Sequence, residues 1–469
     1  MKRILNLLKN NTVYNFVLIL VLIFITVILF NDSHKIPLDI DEIFTLNILY
    51  MNNLSEIIRL GNILDNHPPL YHLIMYFFTK CFGLSEQIIR IPSIIFSVIS
   101  FYLVFVLGKK IYSKTYGFAS LIITAILIPK PWIVFFARGY ALLLLLSILT
   151  MINLVNIIKF KTETPNKQVP SDIMVYYILS SLMCVYTHYF GCILVFCELL
   201  FLFTIFYKKV IKEIVVTVTS LTLLFGPWLL VSHPKKAPTA VPAFIEWLNW
   251  SVFGNYNVYW LLVIIVIGII FFICNINKYS KEKKTYFALM LYLFLFPFLL
   301  IYFTDKFIIK CYQPKYLVFS FVPFYMMISA TFVMLLKNKI SLILSLIIFY
   351  MLSIKQVIPP DAFTEHNLNF AINNHNNFNR PVVIIDKHSM YIKHYKYHIE
   401  KYAQPNNITF VNDFDNDKII EEIDKAVAEN NNRYIWLIDA TSIYDTDQIS
   451  NKKNIVKINK SLPSIYLAK

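Results

Sequence analysis

The sequence predicts a polytopic α-helical membrane protein that ends in a small α/β domain. The chain of 469 residues is 57% hydrophobic and has a mean hydropathy of +0.60, whereas soluble globular chains are nearer half apolar. Apolar runs of about 20 residues, the length that crosses a bilayer, recur from residue 13 to residue 357. Beyond residue 358 the apolar runs shorten to strand length. We therefore predict a transmembrane domain at 1–357 and a second domain at 358–469.

About eleven membrane spans are predicted, and the basic residues between them indicate the orientation. The spans lie near 13–30, 88–108, 116–129, 140–158, 173–187, 192–207, 213–231, 258–275, 285–304, 316–336 and 340–357. With a cytoplasmic N-terminus, the lysine-rich connections face the cytoplasm, as is typical of short cytoplasmic loops. The formal charge of +15 then reflects topology, and no nucleic-acid partner is expected. An odd number of crossings makes the C-terminal domain extracytoplasmic.

The first outer loop, residues 32–87, contains two predicted helices that do not cross the membrane. Residues 54–64 place their apolar side chains near one helical face, which is typical of a helix in the membrane interface. Residues 69–83 are apolar but short for a span. A crossing there would move the later basic clusters outside, so this segment is interpreted as a juxtamembrane helix.

The C-terminal domain alternates strand and helix patterns. Three short apolar runs, 381–386, 407–412 and 433–439, are typical of buried strands, and residues 417–430 form an amphipathic helical pattern. Strands that alternate with helices predict an α/β domain. Its function is not indicated by any motif.

Three carboxylates follow the first span directly: Asp39, Asp41 and Glu42. One interpretation is structural, because Asp39 and Glu42 have the spacing of a helix N-cap with its capping-box partner. The other is catalytic, because a carboxylate at the lipid–water boundary could take a proton from an acceptor hydroxyl or amine. Both interpretations stay open at this point for Asp41.

Several short motifs, taken in order, resemble those of one family. They are Asp41-Glu42, His67-Pro68-Pro69-Leu70-Tyr71, Phe82-Gly83, Glu86-x-x-x-Arg90-x-Pro92, and the segments 137–149, 186–195, 226–230 and 315–327. Each motif alone is weakly specific. Their order and spacing resemble the membrane glycosyltransferases of the protein O-mannosyltransferase and lipid A aminoarabinose transferase type, which have the GT-C fold. The resemblance covers the membrane part of the chain.

The resemblance implies an inverting glycosyltransferase. It would move a hexosyl or pentosyl group from a polyprenyl-phosphate-linked donor to an acceptor on the outer face of a prokaryotic plasma (inner) membrane. The acceptor stays open between lipid, glycan and protein, and membrane lipids are the other expected partners. No cofactor is assigned, although a divalent metal stays an alternative because some relatives bind one.

The resemblance also implies roles for individual residues. Asp41 falls on the catalytic carboxylate, and Glu42 would position the acceptor or support Asp41. The expected ligands of the donor phosphate are Arg138, His67 and Lys315, and the expected substrate-binding residues are Tyr71, Tyr140, His188 and Tyr189. A charge near the bilayer is costly and suggests function. For the histidines and tyrosines, interfacial packing and structural hydrogen bonding are the competing interpretations.

Two other classes of function compete with transfer. A transporter or flippase of a lipid-linked saccharide should show repeated halves and polar residues at mid-membrane, and Glu198 is the main acid within the spans. A binding or scaffolding protein would have a degenerate membrane part. The concentration of unusual residues in the predicted outer loops favours interfacial chemistry over both.

Overall fold

The structure is a computed structural model that describes most of the membrane part and the strands of the C-terminal region. The described residues are 11–35, 38–49, 53–64, 67–232, 244–251, 258–308, 313–336, 382–385, 408–411, 421, 425, 435–439, 455–457 and 464–468. The chain divides into two compact units, Met1–His34 with Ile48–Val357 and Lys35–Asn47 with Ile358–Lys469. The second unit therefore includes part of the predicted first outer loop.

The membrane part is built from helices. In chain order they are α1 (Asn11–Lys35), α2 (Ile40–Leu49), α3 (Leu54–Leu64), α4 (Leu70–Phe82), α5 (Glu86–Ile111), α6 (Lys114–Leu127), α7 (Tyr140–Glu163), α8 (Ser171–Thr187), α9 (Phe190–Phe206), α10 (Ile211–Val231), α11 (Phe244–Ser251), α12 (Val258–Cys274), α13 (Lys281–Phe307) and α14 (Val318–Leu335). A π-helical turn at Lys130–Phe135 precedes α7, and 3-10 turns lie at Tyr207–Val210, Ile276–Lys278 and Pro314–Leu317.

Six helical segments among the described residues are long and apolar enough to cross a membrane, and they identify an integral multi-pass protein. They are α1, α5, α7, the stretch from α9 through α10, α13 and α14. The stretch from α9 to α10 breaks at Tyr207, whose φ is 46°. Helices α6, α8 and α12 are apolar but shorter. The first ten predicted spans fall on helices, the eleventh at 340–357 lies outside the described residues, and the count of eleven crossings stays a prediction.

Helices α7 and α14 form the centre of the membrane unit. In the most apolar 18-residue stretch of each helix, 83% of the residues are buried. A helix that is apolar on all sides is expected to be enclosed by other helices. The peripheral helices α1, α10 and α12 expose large apolar side chains such as Phe24, Leu230 and Trp260. Such side chains are suited to contact with lipid.

Helices α5 and α6 approach each other through glycine. A Cβ atom built on Gly108 would lie 2.7 Å from the Cα of Gly117, and one built on Gly117 would lie 2.9 Å from the backbone nitrogen of Lys109. Both distances are too short for a real side chain, so the two backbones are in direct contact. Small residues allow this close approach in membrane helix pairs.

The two helices predicted in the first loop are present as α3 and α4, and their position outside the membrane stays a prediction. Helix α4 begins after Pro68-Pro69 and ends at Gly83, whose φ of 90° favours glycine. Proline is tolerated at the start of a helix because the first N–H groups have no helical partner.

The described residues of the C-terminal region include one five-stranded sheet. Its strands are β1 (Val382–Ile385), β2 (Ile408–Val411), β3 (Ile435–Asp439), β4 (Ile455–Lys457) and β5 (Ser464–Ala468), in the order β2-β1-β3-β5-β4. Strand β1 is parallel to β2 and β3, whereas β5 is antiparallel to β3 and β4. The first three strands lie within the predicted strand segments. The predicted helix at 417–430 lies outside the described residues except for positions 421 and 425, and the α/β domain as a whole stays a prediction.

Candidate functional site

Four aromatic side chains from distant parts of the chain form one buried group, which we name the histidine–tyrosine cluster: His67, Tyr140, His188 and Tyr316. Every pair of these rings is in contact, with centroid distances from 4.4 Å for His67 and His188 to 6.2 Å for Tyr140 and Tyr316. None of the four is more than 8% exposed. Three of them were predicted site residues.

The cluster forms because four helix ends meet. His67 stands before the two prolines that start α4, and Tyr140 is the first residue of α7. His188 is the C-cap of α8, and Tyr316 lies in the 3-10 turn that leads into α14. Backbone N–H and C=O groups at helix ends lack helical partners, and side chains or ligands can hydrogen-bond to them.

A hydrogen bond from the backbone assigns the tautomer of His188. The backbone N–H of Phe190 donates to Nδ1 of His188 at 3.1 Å. A nitrogen that accepts is unprotonated, so the His188 ring is neutral and its proton is assigned to Nε2. The hydroxyl of Tyr140 lies 3.4 Å from Nε2 of His67. The cluster therefore combines N–H and O–H donors within one small space.

Two cationic side chains belong to this end of the helices. The Lys315 ammonium lies 5.2 Å from the centroid of the Tyr140 ring, within the range of a cation–π contact. Arg138, two residues before Tyr140, is only 5% exposed. A guanidinium can bind a phosphate with two parallel hydrogen bonds, whereas an ammonium acts as a compact charge. The donor-phosphate role of both residues stays a prediction.

Arg90 is also buried and is held by the chain itself. Its guanidinium donates to the carbonyl oxygen of Ser33 and lies over the rings of Phe135 and Phe136, at 5.8 Å and 5.4 Å from their centroids. These contacts tie the end of α1 and the π-helical turn to the start of α5. They support a structural role for Arg90.

Two predicted substrate-binding tyrosines lie in helix contacts. The hydroxyl of Tyr71 forms a hydrogen bond of 3.3 Å with Ser93 of α5. The hydroxyl of Tyr189 accepts a hydrogen bond of 3.3 Å from the indole N–H of Trp228, at the end of α10. Both residues thus contribute to packing, and their contact with a substrate stays a prediction.

The three carboxylates of the first loop form the N-terminus of α2. The backbone N–H of Asp41 donates to Oδ1 of Asp39 at 2.9 Å, and the backbone N–H of Asp39 donates to Oε2 of Glu42 at 3.0 Å. This reciprocal pair is a capping box, and it confirms the structural interpretation of Asp39. Glu42 is fully buried, so its carboxylate serves the cap. Asp41 is partly exposed.

The sequence analysis missed Tyr316. Its position in the cluster follows from the 3-10 turn at Pro314–Leu317, which follows a stretch that no local pattern links to His67 or His188. The only signal was its place beside Lys315 in a segment that carries the family resemblance. Within the described residues, no three His, Cys, Asp or Glu side chains are grouped so that they could hold a metal ion.

The chain is similar in sequence to one known family and in structure to solved proteins. Residues 66–231 match the family described as dolichyl-phosphate-mannose-protein mannosyltransferase. The crystal structure of ArnT from Cupriavidus metallidurans in the apo state superposes with a TM-score of 0.53 at 9% identity, over 97% of this chain and 98% of that chain. The chain has the GT-C fold. The predicted resemblance is thereby confirmed.

Two further solved structures with the GT-C fold are more distant. One is ArnT from Cupriavidus metallidurans bound to undecaprenyl phosphate, with a TM-score of 0.46, 11% identity, and 96% and 97% coverage of this chain and that chain. The other is the Archaeoglobus fulgidus oligosaccharyltransferase in complex with Zn and sulfate, with a TM-score of 0.36, 12% identity, and 80% and 59% coverage. Neither reaches a TM-score that supports an inference. Comparison with curated protein sequences gives no match.

Proposed function

We propose that this protein is an inverting glycosyltransferase that uses a polyprenyl-phosphate-linked sugar on the outer face of the membrane. The observation that carries the proposal is the extent of the mannosyltransferase family match, residues 66–231. This range contains three of the four cluster residues and Arg138. Most of the residues of the histidine–tyrosine cluster therefore lie in the segment that matches a sugar-transferring family.

The proposed donor is a lipid phosphate, because the site combines lipid-facing helices with cations and neutral donors. The isoprenoid chain of such a donor stays in the bilayer while its phosphate needs positive charge at the boundary. Lys315 and Arg138 supply that charge in the proposal, and the Nε2–H of His188 supplies a neutral hydrogen bond. A polyprenyl-phosphate-linked sugar is therefore the first donor to test.

Asp41 is the proposed base. It would take the proton from the acceptor hydroxyl or amine as the acceptor attacks the anomeric carbon, while the lipid phosphate leaves with the bonding electrons. One displacement without a covalent intermediate inverts the configuration at that carbon. The carboxylates of Asp39 and Glu42 each accept a hydrogen bond in the capping box, and the resemblance to the mannosyltransferase type places the base at Asp41.

The experiment compares Asp41→Asn with Asp39→Asn in purified membranes supplied with labelled polyprenyl-phosphate sugars. Asp41→Asn removes the base and should lower the transfer rate by about 10²–10⁴-fold. Asp39→Asn is the matched control, because asparagine keeps the oxygen that accepts from the Asp41 N–H and is an equally good N-cap. Equal rates for Asp41→Asn and the wild type would refute the assignment.

A flippase or transporter is the second candidate, and its main support was Glu198. The carboxylate of Glu198 accepts hydrogen bonds of 3.0 Å from Thr150 of α7 and Tyr177 of α8. Glu198 is fully buried. Its hydrogen bonds connect α9 with α7 and α8, which supports a structural role rather than a place in a transport pathway. Movement of a labelled lipid-linked sugar across liposomes without transfer to any acceptor would favour this alternative.

A further inference from the structure

A cavity lies among α5, α6, α12, α13 and α14, away from the histidine–tyrosine cluster. It is partly open to the surface, and its lining includes Tyr112, Phe272, Lys283 and Met327. Met327 lies eleven residues after Tyr316 along the chain, which corresponds to about 16 Å of helix. The cavity therefore belongs to the other end of the helical unit.

The walls of this cavity are apolar. The rings of Phe272 and Phe287 are parallel, with centroids 3.8 Å apart. The hydroxyl of Tyr116 donates to the carbonyl oxygen of Met326 at 3.0 Å, so this tyrosine presents its ring to the cavity. Met290 and Met327 complete the inner wall and are at most 2% exposed. Methionine side chains adapt to the shape of a flexible ligand, such as an acyl chain.

One cation stands among these apolar side chains. The Lys283 ammonium lies 4.4 Å from the centroid of the Tyr112 ring, a cation–π contact that leaves the charge in place. The neighbouring Glu282 carboxylate accepts a hydrogen bond of 2.6 Å from the hydroxyl of Tyr286. In the described part of the chain, Lys283 forms no ion pair.

More lysines lie at the ends of two of the helices that line the cavity. Helix α5 ends with Lys109 and Lys110, and α13 begins with Lys281, Lys283 and Lys284. These are the clusters that predict a cytoplasmic face. A lysine at the edge of an apolar space between membrane helices is complementary to an anionic headgroup attached to an acyl chain.

We propose that the cavity binds an anionic membrane phospholipid, with the headgroup phosphate on Lys283 and one acyl chain between the Phe272–Phe287 stack and Met327. The ligand is an amphiphile because the cavity combines one cation at its rim with walls that offer almost no polar group. This site is separate from the proposed transfer site and does not depend on that function.

Native mass spectrometry of the delipidated full chain in detergent tests the proposal. The protein is titrated with phosphatidylglycerol and, separately, with phosphatidylcholine that has the same acyl chains. We expect tighter binding of phosphatidylglycerol. Lys283→Gln should weaken it about fivefold, which corresponds to about 1 kcal/mol for one lysine near an anionic lipid, and should leave phosphatidylcholine binding unchanged. Lys281→Gln, an exposed position on the same helix outside the cavity lining, is the matched control and should change binding less than about twofold.

A second variant tests the acyl-chain part of the site. Ala330 lines the cavity and is 8% exposed, so Ala330→Phe should fill the space and lower the occupancy of phosphatidylglycerol. If this variant does not fold, the comparison of Lys283→Gln with Lys281→Gln decides alone.

Four results would overturn the proposal. Equal binding of the two lipids would remove the role of the headgroup, and equal losses in the two lysine variants would indicate diffuse charge. Displacement of the lipid by inorganic phosphate at the same concentration would indicate a phosphate site without a chain. A dimer that forms through this face and excludes the lipid would assign the cavity to a second copy of the protein.

Discussion

The two ends of α7 hold buried polar groups of opposite character. At the Lys161 end, the ammonium forms an ion pair of 2.7 Å with Glu213, and the two side chains are 3% and 7% exposed. The same ammonium donates to the carbonyl oxygens of Lys167 and Lys209 at 2.9 Å and 2.7 Å. At the Tyr140 end, the histidine–tyrosine cluster consists mainly of ring contacts around neutral donors.

The difference indicates that the Lys161 end of α7 contributes to stability. An ammonium has three N–H donors, and at the Lys161 end each of the three has an acceptor within the protein. Glu213 also accepts from the backbone N–H of Val169 at 3.1 Å. Such a closed network satisfies buried charges and offers nothing to a ligand. The four rings of the histidine–tyrosine cluster, in contrast, form no ion pair among themselves, and in the proposed function this end binds the donor.

The largest expected effect is on stability at the Lys161 end. Lys161→Ala leaves the Glu213 carboxylate buried without its cation and should lower the free energy of unfolding by about 3–5 kcal/mol. The double variant Lys161→Met/Glu213→Leu should recover most of this loss because both charges are removed together. Thermal unfolding in detergent measures both, and the transfer rate per folded molecule should not change. A single variant as stable as the wild type would break the comparison.

His188→Asn tests the other end. Asparagine can keep an acceptor for the Phe190 N–H, so stability should stay close to that of the wild type. The loss of the imidazole N–H should reduce kcat/KM about 10- to 100-fold, the equivalent of one hydrogen bond to a charged group. Steady-state transfer assays with a thermal-unfolding control provide the measurement. Loss of stability without loss of transfer would make the cluster a structural element.

Glu198 lies on α9, between the two ends, and should behave like the Lys161 end. Glu198→Ala leaves the Tyr177 hydroxyl buried without its acceptor and should cost about 1–3 kcal/mol of stability. Glu198→Gln keeps an acceptor oxygen and should cost less. Thermal unfolding of the two variants gives the comparison, and a larger effect of Gln than of Ala would contradict it.

Lys315 allows a smaller test of donor binding. Lys315→Met removes a partly exposed charge and should raise the donor KM by up to about fivefold, since such a charge pair contributes at most about 1 kcal/mol. Lys315→Arg keeps the charge and should restore donor binding. If only the acceptor KM rises in Lys315→Met, Lys315 does not bind the donor phosphate.

The smallest expected effect is a pH dependence at Lys130, on the π-helical turn before α7. Burial lowers the pKa of Lys130 below its usual value of 10.5, and the nearby Asp32 opposes this shift. The unfolded chain then binds more protons than the folded chain, so stability rises with pH in the window between the lowered pKa and 10.5. Lys130→Met should remove this rise, as thermal unfolding across that pH window would show. A rise of equal size in the variant would exclude Lys130 as its source.

The helices and part of the site could be predicted from the sequence because their signals are local. Apolar runs marked the membrane helices, and the spacing of Asp39 and Glu42 predicted the cap of α2. His67, Tyr140 and His188 could be identified as site candidates because each stands in a short motif beside a predicted helix end. Their mutual contact needed the fold.

The contacts that could not be predicted join residues distant in the chain. Lys161 and Glu213 are 52 positions apart, and each is one charge among many near a predicted loop. Tyr316 joins the cluster only through the approach of α14 to α7. The grouping of residues 35–47 with the C-terminal unit likewise has no local signal. Helix packing decides the contacts of Lys161 with Glu213 and of Tyr316 with the cluster, and a single sequence does not record it.

The contact between Gly108 and Gly117 has a consequence for the cavity that we propose binds a phospholipid. Ile111, Tyr112 and Tyr116 all line that cavity and all lie in the hairpin that these two glycines close. Because the backbones touch without intervening side chains, the spacing of this hairpin does not vary with rotamers. This wall of the cavity is thus pre-organised before a ligand binds. Binding would therefore cost little entropy for ordering the wall.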